Sequence, residues 1–472
     1  MEDRSSLTHM PSQRGVVAVL AFAGMGASFM QTILIPIQSE LPQLLNSTRE
    51  DTAWVITVTL LVSAICTPIS GRLGDMYGKR RVAIVLLSLL VAGSVVCALS
   101  PTLVPMIIGR ALQGTGMGVI PLGIAILRDV LPPHKLGSSI ALVSATLGVG
   151  GALGLPISAF VTEHYDWHVL FWVAAAIGAT ALALYIFFVP QSTLRTAGRF
   201  DYPGALGLAV GLTGTLLAIS KGGEWGWLAP NTLAFGGVGL AVLVLWGIYE
   251  WRQSAPLVDL RVSSRGPVLM TNLASVAMGF ALFASSIAYP QMLQISEAAG
   301  GAGLSLITAS LVLMPAGLAM LVMSPIAGRL IGRIGPKALL IIGAVIIAFT
   351  YGGSILVPTN VWAIGVANTL IGVGIGLGYA AMPTLIMRAV PSNETGAANG
   401  LNTLMRGLGT AIAAAVVASV LAQSGTGSAG TPSPEGFLQA QICGLIAAVV
   451  CAGLAAFIPA PKPGSERHPA LP

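Results

Sequence analysis

Of the chain's 472 residues, 55% are hydrophobic and only 8% are charged, against about 25% charged in an ordinary soluble domain. A soluble globular fold is excluded. Mean hydropathy is +0.85, and apolar segments close to the roughly 20-residue length that spans a bilayer recur between residues 16 and 458. The runs are continuous rather than alternating, which predicts an all-α integral membrane protein and not a β-barrel. The net charge of +6 is explained by topology and does not call for a nucleic-acid partner.

In chain order, residues 1–15 are polar and lead without a cleavage signal into the first apolar run, so an uncleaved first helix is expected. Runs bounded by charge, proline or glycine predict spans near 16–37, 53–73, 82–100, 103–127, 138–162, 169–189, 204–220 and 230–250. Six more are predicted near 267–292, 303–330, 338–357, 361–387, 396–421 and 437–458. Fourteen is an even number, so both termini share a side. Of the 23 Lys and Arg, Arg110 and Arg406 lie inside spans, Arg49 and Lys221 lie on one face, and the remaining 19 lie on the other. The bias puts the termini in the cytoplasm of a cell (inner) membrane. The linkers with Arg195, Arg199 and Asp201, and from Arg252 to Arg265, are then cytoplasmic. The Gly-, Ser-, Thr- and Pro-rich segment 423–436 reads as an external loop with no reason to be ordered.

An internal repeat organises the chain. Residues 67–80 align on 324–337 at an offset of 257, with six identities in fourteen positions. Nearly the same offset lays Gly114, Gly116 and Gly118 on Gly372, Gly374 and Gly376. The expected units are an N-terminal six-helix bundle in 1–190, a two-helix hairpin with its linkers in 191–266, and a C-terminal bundle and tail in 267–472. Parallel halves about a central site are the plan of a rocking transporter.

Three motifs carry chemistry. Gly71 to Arg81, between the second and third spans, reads GRLGDMYGKRR. Gly71 and Gly78 permit a tight turn and close helix approach, Asp75 can accept from a helix N-terminus, and Lys79, Arg80 and Arg81 anchor at the inner leaflet. Asp129 is the expected partner of Arg80. The fourth span carries GRALQGTGMG from Gly109 to Gly118, placing Arg110 about 10 Å inside the membrane. The fifth carries GGALGLPISA from Gly150 to Ala159, where Gly150 and Gly154 offer a close-packing face and Pro156 follows.

The first motif resembles the loop signature of the major facilitator superfamily, the second its R-x-x-Q-G-x-G motif and the third, in part, its antiporter motif. With fourteen spans, the whole chain resembles the 14-helix drug:proton antiporters of the EmrB/QacA type. That resemblance implies a latch at the cytoplasmic side and export of small amphipathic compounds by alternating access, coupled to protons. One departure concerns coupling: Met30 stands where these antiporters commonly carry Asp. All 17 acids and five histidines fall in loops, tails or span ends, so no proton carrier is expected at depth.

The cavity is expected to be lined by Met30, Gln31, Arg110, Gln113, Asn272, Met278, Tyr379, Met382, Asn402 and Arg406. Gating is expected to involve Gly71, Asp75, Gly78, Arg80, Asp129, Gly150, Gly154 and Pro156. An exporter or uptake carrier for one specific metabolite, anions included, is the alternative, and a non-transporting sensor or scaffold is the reading from another class. Cys66, Cys97, Cys443 and Cys451 all lie in apolar segments, so no metal and no disulfide framework is expected. With no phosphate-cradling loop and no hydrolase signature, neither a primary pump nor an enzyme is expected. The expected partners are a small-molecule substrate, the lipid bilayer and protons, with no cofactor, for a chain acting as a monomer.

Overall fold

The computed structural model describes residues 12–34, 37, 41–191, 195–196, 199–297, 301–356, 360–391, 394–424 and 432–459. The N-terminal bundle comprises α1 (Gln13–Thr32), α2 (Arg49–Tyr77), α3 (Lys79–Ala98), α4 (Leu103–Val130), α5 (Pro133–His164) and α6 (His168–Phe188). The hairpin is α7 (Tyr202–Trp225) and α8 (Pro230–Arg252). The C-terminal bundle follows as α9 (Gly266–Gln294), α10 (306–334), α11 (336–356), α12 (Val361–Ala389), α13 (Thr395–Gln423) and α14 (Pro434–Ala456). These helices are long and apolar enough to cross a membrane, with α10 and α11 forming one run from Leu306 to Leu356. That run breaks at Gly335, whose φ of 81° and ψ of 160° lie outside the helical region.

Some boundaries differ from expectation. The first span stops at Thr32 rather than 37, and residues 35 and 36 lie outside the described residues. The second starts at Arg49, where the Thr48 hydroxyl accepts from the Asp51 amide, and it runs through Gly71 to Tyr77. The expected external loop is shorter than 423–436, and its centre, 425–431, lies outside the described residues, as do Glu40, residues 1–11 and the tail from 460.

The repeat is visible as paired geometry. Gly78 (φ 106°) turns the chain between α2 and α3, and Gly335 (φ 81°) does so between α10 and α11; at such φ only glycine is unstrained. A β-carbon on Gly114 of α4 would meet the Thr59 carbonyl of α2, and one on Gly372 of α12 would overlap the Ala316 carbonyl of α10. Those residues are related by the same offset as the motifs.

Each bundle has its own apolar core, one built from α1 to α6 and the other mainly from α9 to α14. The bundles meet along α2 with α13 and along α5 with α10 and α12. Across the α2–α13 seam lies a third cluster, in which Leu208, Leu212 and Leu216 of α7 pack with Leu401 and Leu404 of α13 and with Leu61, Ala64 and Ile65 of α2. By contrast α8 leaves Leu233, Phe235, Val238, Leu240, Val244 and Leu245 exposed, a surface suited to lipid. The hairpin is thus attached to the seam mainly by α7, with Trp227 of the α7–α8 turn donating to Ser419 Oγ of α13 at 3.2 Å.

Candidate functional site

At the end of the molecule that carries the Gly78 and Gly335 turns, here the basic end, the bundles are locked together by close contacts. Asp75 Oδ1 accepts from the Gly396 amide at 3.1 Å and Oδ2 from the Ala397 amide at 2.8 Å. These are orphan N–H groups of the first turn of α13, which favour a carboxylate. Gly71 makes the approach possible, since a β-carbon there would overlap the Gly396 carbonyl. Arg128 adds a longer bond, Nη2 to the Val390 carbonyl at 3.5 Å, from α4 to the end of α12. Asp75 is 1% exposed.

Two expectations about this cluster are corrected. Asp129 pairs with Lys79, not Arg80: Lys79 Nζ lies 2.6 Å from Asp129 Oδ2 and 4.0 Å from Asp75 Oδ1. Lys79 is therefore no leaflet anchor but a buried cation, 1% exposed, tolerated because two carboxylates flank it. Arg80, turned by about 100° on the same helix, donates from Nη2 to the Ile186 carbonyl at 2.5 Å. The second copy repeats this bond, with Lys337 Nζ donating to the Ile458 carbonyl at 2.6 Å. Each cation caps the exposed carbonyls at the end of the last helix of its bundle.

The expected lining residues form two separate polar clusters, one per bundle. In the first, Arg110 Nη1 donates to the Met30 carbonyl at 2.8 Å and Gln113 Oε1 at 2.7 Å, and Nε donates to the Val55 carbonyl at 3.2 Å. Gln113 Nε2 donates onward to Ser94 Oγ at 2.8 Å. Arg110 thus ties α1, α2 and α4 together. Gln31 is half-buried and takes no part in this network. In the second cluster, Asn402 Nδ2 donates to Asn272 Oδ1 at 3.0 Å and to Ser275 Oγ at 2.7 Å. Ser275 Oγ donates to Met382 Sδ at 3.1 Å, and Met278 packs against Gly378. Arg406 Nη2 donates to Thr403 Oγ1 at 3.0 Å, and its guanidinium stacks 4.7 Å from the Tyr379 ring centre. Its Nη1 is buried without a hydrogen-bond partner.

The two arginines are therefore unlike. Arg110 is held by carbonyls and an amide oxygen, the arrangement of a structural cross-link. Arg406, 4% exposed, keeps a donor with nothing to donate to, which is costly in a buried site unless a further acceptor arrives. Ser94, Ser275, Thr403 and the α13 amides escaped sequence reasoning, because hydroxyls and backbone groups carry no distinctive pattern.

Gly150 and Gly154 face α1 rather than the other bundle. A β-carbon on Gly150 would lie 2.5 Å from the Met25 carbonyl, and one on Gly154 would overlap Thr32 Oγ1. Pro156 sits inside α5, two residues beyond Gly154.

The model of the Major Facilitator Superfamily matches residues 20–414 and 271–471 of the chain. The chain is 29% identical over 418 residues to the lincomycin resistance protein LmrB of Listeria monocytogenes, covering 86% of each protein. It is 27% identical over 382 residues to the multidrug resistance protein Stp of Mycobacterium tuberculosis, covering 78% of this chain and 68% of that one. Among solved structures, the human organic anion transporter MFSD10 (TETRAN) superposes with a TM-score of 0.67 at 17% identity, covering 95% of this chain and all of that one. The proton:xylose symporter XylE gives 0.66 at 16%, covering 95% and 96%. With these matches and the duplicated Gly78 and Gly335 turns, the chain is a multi-pass membrane protein of the Major Facilitator Superfamily.

Proposed function

We propose that the chain is a secondary transporter that exports small amphipathic compounds of varied structure by alternating access between its two bundles. Relatives named for lincomycin and multidrug resistance support this reading. The observation that carries it is the Asp75 latch. It joins the bundles through two hydrogen bonds to backbone amides, a link that can open without unfolding either half. The Lys and Arg bias supports a cytoplasmic basic end, and on that orientation the latched state is closed to the cytoplasm. The chain works as a monomer in the inner membrane. Counterflow in proteoliposomes, with lincomycin among a panel of cationic, neutral and anionic compounds, tests the reading. Absence of counterflow for every compound, from protein that binds at least one of them, would refute it.

Arg406 favours a second reading, in which the preferred cargo carries a carboxylate, phosphate or other acceptor. Its free Nη1 and stacked Tyr379 ring form half of a bidentate receptor. Proton coupling rests on the family resemblance. The described span interiors hold neither carboxylate nor histidine, so coupling would act through Asp75 or Asp129 at the basic end, or through a proton carried by the cargo.

A further inference from the structure

The basic end holds a second pair of acids that the latch does not use. Asp201 caps the N-terminus of α7: its Oδ1 accepts from the Gly204 amide at 2.8 Å and from the Tyr249 hydroxyl at 2.9 Å. Glu250 lies in the last turn of α8 and is 1% exposed. Its Oε2 has one long bond, from the Val258 amide at 3.4 Å. The other oxygens, Asp201 Oδ2 and Glu250 Oε1, are both buried without a hydrogen-bond partner. They converge, since a β-carbon on Gly204 would touch Asp201 Oδ2 at 2.5 Å and overlap Glu250 Oε1, which puts the two oxygens within about 5 Å of each other. Among the described residues, no ion pair reaches either acid.

Two carboxylates facing each other in a buried site do not both stay ionised. Position decides which one takes the proton. Asp201 sits at the N-terminal end of α7 with two donors on its Oδ1, whereas Glu250 sits at the negative end of α8, facing the Val258 and Leu257 amides and the Trp246 indole. The other groups around Glu250 are neutral: Tyr249, whose hydroxyl is on Asp201, the Leu257 and Val258 amides of the linker, and Trp246, whose buried indole N–H has no other partner and faces Glu250 as a further donor. Arg252 is exposed, and Arg261 donates to the Trp251 and Gln253 carbonyls.

We propose that Asp201 and Glu250 form a proton-binding site, a carboxyl–carboxylate pair in which Glu250 Oε1–H donates to Asp201 Oδ2 and so docks the α8–α9 linker on the bundle seam. The docked segment is well placed to matter. Leu257 and Val258 pack with Leu208 of α7 and with Leu401 and Leu404 of α13. They also line one crevice with Arg72, Glu394 and Ala397, beside the amides that Asp75 holds. Removing the proton leaves two facing anions, which push α8 and the linker away from α7. The site thereby reports pH at the basic end to the latch.

The test uses the full chain purified in nanodiscs, with the four native cysteines replaced and Val258→Cys introduced. Maleimide labelling of residue 258 is followed between about pH 6 and pH 9, in otherwise wild-type protein and with Glu250→Gln. Gln mimics protonated Glu, and dividing by its rate at each pH cancels the thiol's own titration. The expected ratio is near one at acid pH and rises about tenfold per pH unit once the pair titrates. A ratio flat across the range overturns the proposal. Infrared difference spectra of protein with native Val258 give an independent check, with a protonated-carboxyl band expected in wild type and lost in Glu250→Gln; no such loss also overturns it. If EDTA frees the linker and Mg2+ restores it at constant pH, a metal bridges the acids and the proton assignment is wrong.

Discussion

Replacing Asp75 with Asn separates the latch from everything else the residue does. The Lys79 contacts to Asp75 and Asp129 lie within one bundle, so they persist whether the basic end is shut or open and cancel in the comparison. Of the side-chain contacts of Asp75, only the bonds from Gly396 and Ala397 cross between the bundles. Asn has one acceptor oxygen, so it can satisfy one amide and must turn its own N–H toward the other. A hydrogen bond to a charged group contributes about 1.5–3 kcal/mol net, so losing one should lower the closed-to-open ratio roughly 10- to 150-fold. Spin labels at Tyr77→Cys and Arg388→Cys, exposed at the basic ends of α2 and α12, would report the change by double electron–electron resonance in a background without native cysteines. The expected result is a new longer distance in Asp75→Asn that is rare in the parent, with export reduced and membrane insertion intact. An unchanged distance distribution in well-folded Asp75→Asn protein would show that the two bonds do not hold the bundles together.

Four other outcomes follow from the structure and the sequence. Arg110→Gln should lower thermal stability, because the Met30 and Val55 carbonyls lose their donor at about 1–3 kcal/mol each. Arg406→Gln should keep stability, or gain it, and instead change the ranking of anionic against cationic substrates in counterflow; the reverse pattern would exchange the two roles. Gly150→Ala should cost more stability than Gly154→Ala in thermal unfolding, since the first meets the Met25 backbone and the second a Thr32 hydroxyl that can rotate; equal costs would contradict the packing described for α1 and α5. With Met30 in place of a helix 1 acid, export from energised vesicles should outlast collapse of the pH gradient alone. Complete loss of export on that treatment, unaffected by substitution of Asp75 and Asp129, would place the coupling group elsewhere.

The spans were legible because each apolar run is long and is punctuated by charge, proline or glycine; even the break between α10 and α11 is written as Gly335-Pro336. The latch was half legible. Asp75 advertises itself as an acid among basic residues, but its partners are two backbone amides, which any sequence would supply. Three consecutive cations, Lys79, Arg80 and Arg81, read alike in one dimension; on a helix each points about 100° from the next, and only one faces Asp129. Glu250 reads as an ordinary cytoplasmic acid because its burial depends on α7 and the linker folding over it. The difference between Arg110 and Arg406 was equally hidden, since it lies in which carbonyls happen to be within reach.

The duplicated contacts at the basic end are not duplicated in chemistry. Gly71 rests on Gly396, and its counterpart Gly328 rests on Ser138, but where the first copy has Asp75 the second has Gly332. One seam is bolted and the other is held by fit alone. A mouth fastened along one side would open askew: on release of Asp75, the α5–α10 seam, whose second-copy motif carries no acid, would serve as the pivot, and the aperture would face the α2–α13 side, where α7 packs. The inserted hairpin would then stand at the doorway as its jamb, a role that would give this appendage a reason to be there.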